Sequence, residues 1–535
     1  MDLLNTAGNW NPQLFRELKG RLKPRNITIA AALSIVGQVL LLIMFSSNLP
    51  SNSTNPIDGQ LTNFYCTGEA VRYNGYVCLS DALRNWQVNW SQWWFDAGKV
   101  LTVFMLLVAL IGGIYALVSD LSNEERRGTL NFIRLSPQSS YSILSGKILG
   151  TPALVYLAIG LAVPLHLWSA IVGGLPFTEL LAFYVLAIAT CGLFYTAALL
   201  MALASGSQAQ PWLVTIAALN LGWPYIALFH GLFEPDLFGY KEPIWFFVPL
   251  FEHPFYARIF VLANCVLWTY WIWQALNRRY RNPNATLTSK KQSYWIMACA
   301  ELLLMGFVLH ELFPLRYPSD YSAMLYGVAW FNLLVFLVAI AVLSPTRQAL
   351  QDWARYRHQQ REANTGRKYS LAKDLVWGEK SPSLVAIAVN LAIVAALWIP
   401  FLLFADEGNM TKVQVIETLV LCGNLILIYA AIAQLFLFAK NKRSQAWAAL
   451  ALIAATSLPP LLSWIVFQNM ENATAVWAML TFGSPFLGYE HFTFGAFAIA
   501  FFGQGLILVL LISRLVRTLR KAGESESKVM MKPKS

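Results

Sequence analysis

Charge is what this chain lacks. Asp, Glu, Lys and Arg make up 13% of its 535 residues, about half the roughly 25% usual in soluble proteins. Its length suggests three or four soluble domains. So few charges cannot cover the surface of that many. Cysteine is scarce too, with six residues, which excludes a disulfide-rich scaffold. No Cys-x-x-Cys pair and no histidine cluster has zinc spacing. What is abundant is apolar: 57% of residues are hydrophobic and the mean hydropathy is +0.50. That composition excludes a disordered chain. It predicts an all-α polytopic membrane protein.

A helical span needs about 20 mostly apolar residues. Twelve stretches qualify, near 28–47, 97–118, 148–171, 176–203, 210–230, 254–277, 294–316, 322–344, 383–404, 413–439, 444–467 and 490–514. A barrel would show short alternating segments instead of these continuous runs. Of the 39 Lys and Arg, 32 fall on alternate loops. The positive-inside rule then predicts that both termini are cytoplasmic. The net charge of +11 is mostly this bias and calls for no nucleic acid. The first run has no small-residue cleavage pattern and reads as an anchor, not a signal peptide.

Twelve spans suggest six plus six. Spans three to six start near 148, 176, 210 and 254, and spans nine to twelve near 383, 413, 444 and 490. The shift is close to 235 residues throughout. Pro249-Leu250-Phe251-Glu252-His253 before span six is echoed by Pro485-Phe486 with Glu490-His491 leading into span twelve. A competing echo pairs Leu14–Leu18 with Leu371–Leu375, a register that would leave the second unit only four spans. The expected domains are a cytoplasmic amphipathic segment 1–27, a first unit 28–283, a second and divergent unit 284–514, and a basic cytoplasmic tail 515–535. The first unit holds an outer loop 48–96 and a cytoplasmic loop 119–147; the second holds a cytoplasmic loop 345–382.

Three stretches read as interfacial. Leu14, Phe15, Leu18 and Leu22 form a stripe opposite Arg16, Lys19, Arg21 and Lys23, which suits a helix on a membrane surface. Trp86, Trp90, Trp93 and Trp94 repeat at helical spacing before span two, as an aromatic belt would. Residues 231–253 and 468–489 are too polar to span and suit short surface or re-entrant helices. Cys66 and Cys78 share the outer loop, where a disulfide between them is plausible. Cys191, Cys265, Cys299 and Cys422 lie inside spans.

The most informative loop follows span two. It reads Glu124-Glu125-Arg126-Arg127-Gly128-Thr129-Leu130, then Arg134-Leu135-Ser136-Pro137, then Ser145-Gly146-Lys147. Charges of both signs on a short helix can fix the register of a docked partner; a solvated loop is the plainer reading. This pattern resembles the segment after the second span of export-type (type-2) ATP-binding-cassette (ABC) permeases. Asn11-Pro12 with Arg16-Glu17-Leu18 and Arg21 is similar to the connecting helix before their first span. The resemblance covers residues 11–277; residues 345–382 depart from it, keeping Gly366 and Arg367 only.

The resemblance implies a coupling helix that sits in a groove of a cytoplasmic ATPase. Glu124, Glu125, Arg126 and Arg127 would contact that ATPase. Gly128, Thr129 and Leu130 would shape the coupling helix, with Arg134 beyond it. Ser136 and Pro137 would form the turn, and Gly146 and Lys147 would begin the return to the membrane. Two cytoplasmic ABC ATPase subunits, carrying ATP and Mg, are the implied partners. The chain itself would be no enzyme and would hold no cofactor. A second permease copy is the alternative stoichiometry, and a bacterial inner membrane is the implied location. A nucleotide loop needs Gly-x-x-x-x-Gly-Lys-Ser/Thr; Ser145-Gly146-Lys147-Ile148 and Gly378-Glu379-Lys380-Ser381 do not match it.

Other polar groups are sparse. Glu252-His253 and Glu490-His491 lie at the outer ends of spans six and twelve and read first as helix N-terminal caps, then as substrate-exit, metal or acid/base groups, with Glu234 and Asp236 near the first pair. Glu301 and Glu417 are the clearest intramembrane carboxylates, and such groups are functional hypotheses by default. Asn390, Asn424, Gln434 and Gln504 suit interhelical contacts. Export of a lipid-like or amphipathic substrate is the leading expectation. An ion- or proton-coupled secondary transporter, and then an embedded enzyme acting on lipid-linked substrates, are the alternatives.

Overall fold

The computed structural model describes residues 8–50, 61–71, 75–80, 85–206, 209–220, 244–250, 252–312, 321–362, 371–405, 408–440, 443–468 and 470–523. It divides into two compact units, one of residues 1–242 with 250–281 and one of residues 243–249 with 282–535. The short segment 243–249 thus belongs to the second unit, whereas the sequence places it in the first.

In the first unit, α1 (Pro12–Arg21) leads into α2 (Pro24–Ser46). A three-stranded sheet of β1 (Thr62–Asn63), β2 (Ala70–Val71) and β3 (Gly75–Val77) follows, antiparallel in the order β1-β3-β2. The Cys66–Cys78 disulfide pins this sheet. Next come α3 (Trp90–Arg126), α4 (Thr129–Arg134), α5 (Ser140–Gly150), α6 (Ala153–Val172), α7 (Phe177–Ser205) and α8 (Pro211–Asn220).

The hairpin β4 (Ile244–Trp245) and β5 (Val248–Pro249) belongs to the second unit, and α9 (Pro254–Arg281) closes the first. The second unit continues with α10 (Lys290–Leu312), α11 (Tyr321–Leu343), α12 (Arg347–Glu362), α13 (Leu371–Trp377) and α14 (Leu384–Phe404). It ends with α15 (Lys412–Phe438), α16 (Ser444–Phe467), α17 (Thr474–Leu480), α18 (Ser484–Leu487) and α19 (Phe494–Gly523).

Among the described residues, 11 helices are long and apolar enough to cross a membrane. The chain is therefore an all-α polytopic membrane protein. The expected fifth span, 210–230, is described only as the short α8; residues 221–230 lie outside the described residues, as do Glu234, Asp236, Gly366 and Arg367.

Local chemistry sets several boundaries differently from the sequence reading. Asn89 caps α3 by accepting from Gln92 N at 3.1 Å, so the helix starts at Trp90. Trp86 is bridged to Ser80 outside it. Trp93 is buried, not interfacial, and donates to Phe45 O at 3.0 Å. Pro152 ends the run that the sequence carries unbroken from 148, because its ring cannot donate in a helix interior and α6 begins after it. The last span starts after Glu490-His491 and runs to Gly523, beyond the expected edge at 514.

The first core gathers Leu110, Ile114, Leu117, Leu144, Leu199 and Leu276 among others, from α3, α5, α7 and α9. The second unit packs α10, α11, α14 and α15 around Phe336, Ile340, Ile387 and Tyr429. Two polar rungs register α10 against α14. Asn390 donates to Ser293 Oγ at 3.3 Å, and Trp398 donates to Glu301 at 2.7 Å. Both pairs are separated by 97 residues, so the two helices run in the same direction.

Candidate functional site

The loop after span two is a helical corner. At 37 residues, α3 is about 55 Å long at 1.5 Å per residue, well beyond the ~30 Å of a bilayer's hydrocarbon. Its last turns therefore carry Asp120 and Glu124 past the apolar depth. Gly128 ends the helix with φ +73°, a left-handed conformation that favours glycine. The short α4 then buries Leu130 and Ile133 in the core. Its other side stays out: Phe132 is 80% exposed and Leu135 86%. Arg126, Arg127, Thr129 and Pro137 are exposed beside them, and Glu125 is half-buried. Ser136 N donates to Ile133 O at 3.1 Å, which closes the turn. Arg134 donates to Asn131 at 3.0 Å and lies over the Tyr280 ring at 5.4 Å. Ser139 caps α5 by accepting from Ser142 N at 3.2 Å.

The corner is clamped to α1. Asn11 caps α1 with its Oδ1, accepting from Leu14 N at 3.1 Å, while its Nδ2 donates to Ser142 O at 2.8 Å. Gly146 and Gly150, one turn apart on α5, let α1 come close. A Cβ at 146 would fall 2.8 Å from Leu14 N, and one at 150 would fall 2.6 Å from Glu17 Cβ.

Between these glycines Lys147 points into the unit with 1% of its side chain exposed. Its ammonium meets Asp120 Oδ2 at 2.6 Å, Glu124 Oε2 at 2.8 Å and Glu17 Oε1 at 3.3 Å. The Glu124 contact is ionic and not a directed hydrogen bond. Arg16 pairs with Glu124 Oε1 at 2.6 Å and Arg21 with Asp120 Oδ1 at 2.5 Å. Gln13 donates to Glu17 at 2.9 Å.

Three cations thus face three carboxylates across α1, α3 and α5. Burial alone would push the Lys147 pKa down; Asp120, Glu17 and Glu124 outweigh that penalty and hold it above the ordinary lysine value. The three carboxylates also lie close enough together to hold a metal ion, but the ammonium already supplies the cation there.

The predicted residues therefore separate by role. Glu124, Gly146 and Lys147 face inward and build the clamp. Arg126, Arg127, Gly128 and Thr129 are at the surface. The reading of Glu124 as a residue reaching for a partner meets a side chain already engaged by Arg16 and Lys147. Sequence reasoning missed Asp120 and Phe132, and gave Leu135, though it lies in the quoted motif, no role. Asp120 carries a readable signal, one helical turn before Glu124. Phe132 and Leu135 carry one only once α4 is known to turn its other side to the core.

The remaining predicted groups are dispersed. Glu301 is fully buried; its Oε2 accepts from Trp398 at 2.7 Å and from Asn332 at 3.4 Å, while its Oε1 has no partner. Glu417 is buried on α15, three residues past the capping box that Thr411 and Gln414 form. Glu252 is exposed, and His253 meets Tyr256 edge to face with ring centroids 5.7 Å apart. Glu490 and His491 do not cap α19. Thr493 does, accepting from Ala496 N at 3.3 Å, and His491 pairs instead with Glu471 at 3.0 Å.

No protein-family model, no curated protein and no solved structure matches this chain.

Proposed function

We propose that this chain is the membrane-spanning permease of an ATP-driven, ABC-type exporter, driven by two copies of a separate cytoplasmic ATPase. The observation that supports it most is the corner itself. An exposed tip of Arg126, Arg127, Phe132 and Leu135 is carried by helices that Lys147 locks to α1. Such an element can receive a push at its tip and pass it to α3 and α6 as a rigid lever. The apolar pair supplies contact area, and the arginines supply register. The division into two units of similar size supports the tandem six-plus-six reading, with α12 and α13 as the second unit's docking element. There Asp374 accepts from Trp353 and pairs with Arg357 at 2.8 Å. Orientation with both termini inside follows from the positive charges, and an inner bacterial membrane from the resemblance. The substrate class that fits is lipid-like or amphipathic.

The test is a mild-detergent pull-down of the tagged chain from its native host, with mass spectrometry of the partners. The expected partner carries Gly-x-x-x-x-Gly-Lys-Ser/Thr and is lost in the Phe132→Asp/Leu135→Asp variant. A folded preparation without such a partner would overturn the reading. One observation favours a second reading, ion or proton coupling: the buried Glu301 keeps an unpartnered oxygen inside a span.

A further inference from the structure

The first unit holds a cavity of about 730 Å³ between α2, α3 and α6. It follows α2 from Asn26 to Met44. That is 18 residue steps, or about 27 Å at 1.5 Å per residue, close to the full ~30 Å depth of bilayer hydrocarbon. Its walls are almost wholly apolar, with Phe104 and Ile159 facing α2. Gly37 lines it, and a Cβ there would meet no atom within 4 Å. The groove is open at this point of the helix, and beside it α2 is tied to α6 by Ser34 Oγ donating to Ala158 O at 2.7 Å.

The two ends of this groove differ in charge. At the Asn26 end Lys23 and Arg25 are exposed. From residue 26 to residue 71 the chain has no Lys or Arg at all, so the Met44 end offers no cation from this segment. An apolar groove in a bilayer gains little by exchanging one lipid tail for another, because tails are as apolar as its leucines. Selectivity must come from the headgroup; near the Met44 end Lys99 is engaged by Asp96 at 3.8 Å and lies over the Phe95 ring, whereas Lys23 and Arg25 are exposed at the Asn26 end.

We infer that the groove is a binding site for an anionic phospholipid. One acyl chain lies along α2 past Gly37, and the phosphate headgroup sits at Lys23 and Arg25. The bilayer supplies this ligand at high local concentration, and two near-surface cations favour an anionic over a zwitterionic headgroup by roughly 30-fold. The site stands whether or not the chain is an exporter.

The experiment is native mass spectrometry of the full chain, released from nanodiscs holding equal amounts of phosphatidylglycerol and phosphatidylcholine. The wild-type chain is expected to retain phosphatidylglycerol preferentially. Gly37→Phe starts from a position where a Cβ meets no atom within 4 Å, puts its ring into the groove and is expected to lose most of that retained lipid. Lys23→Glu/Arg25→Glu leaves the groove open and is expected to retain lipid with the preference gone.

Three results would overturn the proposal: no preference in the wild-type chain, equal retention in Gly37→Phe, or a wild-type dimer that Gly37→Phe converts to monomer. The last would mean that a second copy covers the groove. Thermal unfolding in detergent checks the fold of each variant. Gly37→Leu replaces Gly37→Phe if the larger side chain prevents folding, and the charge variant decides the headgroup claim by itself.

Discussion

Lys147 donates to Asp120 at 2.6 Å from a position with 1% side-chain exposure. This pair joins α5 to the end of α3. Its surroundings are balanced, three cations against three carboxylates, so removing Lys147 alone leaves uncompensated negative charge. Removing one partner of a buried pair costs about 3–5 kcal/mol. Lys147→Met should therefore lower the unfolding midpoint in detergent sharply. Lys147→Met/Asp120→Asn should lose clearly less than the two single changes added together, because the groups share one network. Additive losses would mean that the two side chains do not interact.

The same lysine predicts a pH dependence at high pH. Its carboxylate neighbours hold its pKa above the ordinary 10.5, so the folded state binds this proton more tightly than the unfolded state. The resulting stability is complete below pH 10.5 and is lost as pH rises through the higher folded value. Tyrosines titrate in that window as well. The difference between the wild-type chain and Lys147→Met isolates the lysine, and it should shrink as pH rises above 10.5. A difference that stays constant up to the most alkaline pH the preparation tolerates would contradict the cluster.

Gly146 and Gly150 make a separate mechanical claim. A side chain at either position would meet α1 at less than 3 Å. Overpacking of this kind typically costs 1–3 kcal/mol. Gly146→Val should push α1 off α5, and a disulfide engineered between Asn11→Cys and Ser145→Cys should form in the parent chain but poorly in the glycine variant. Equal crosslinking in both would show that α1 does not rest on these glycines.

Much of the fold was legible because membrane spans announce themselves by length and composition. Edges were less so, since they depend on single groups: Asn89 starts α3, Pro152 divides α5 from α6, and Thr493 starts α19. The candidate site was half legible. The sequence marked the loop from Glu124 to Lys147 but could not say which charges turn inward. That depends on a long-range match between Glu17 and Lys147, 130 residues apart, and no local pattern encodes such a distance. Likewise Trp93 sits at helical spacing with exposed Trp90, yet its buried indole is fixed by the carbonyl of Phe45.

Glu301 separates stability from function. Its Oε2 accepts from the Trp398 indole and the Asn332 amide; its Oε1 and Asn332 Oδ1 are both buried acceptors without a donor. Glu301→Gln keeps an acceptor oxygen and adds an N–H₂ group that can serve an unpartnered oxygen, so stability should be unchanged or rise. Glu301→Leu strips the acceptor from Trp398 and Asn332, and each buried donor left unsatisfied costs about 1–3 kcal/mol; the unfolding midpoint should fall. Reconstituted transport then discriminates between mechanisms. If the chain is driven by a partner ATPase alone, Glu301→Gln should transport at close to the parental rate. If it stays as stable as the parent but loses transport, the carboxylate moves an ion or proton, and the ion-coupled reading replaces the export one.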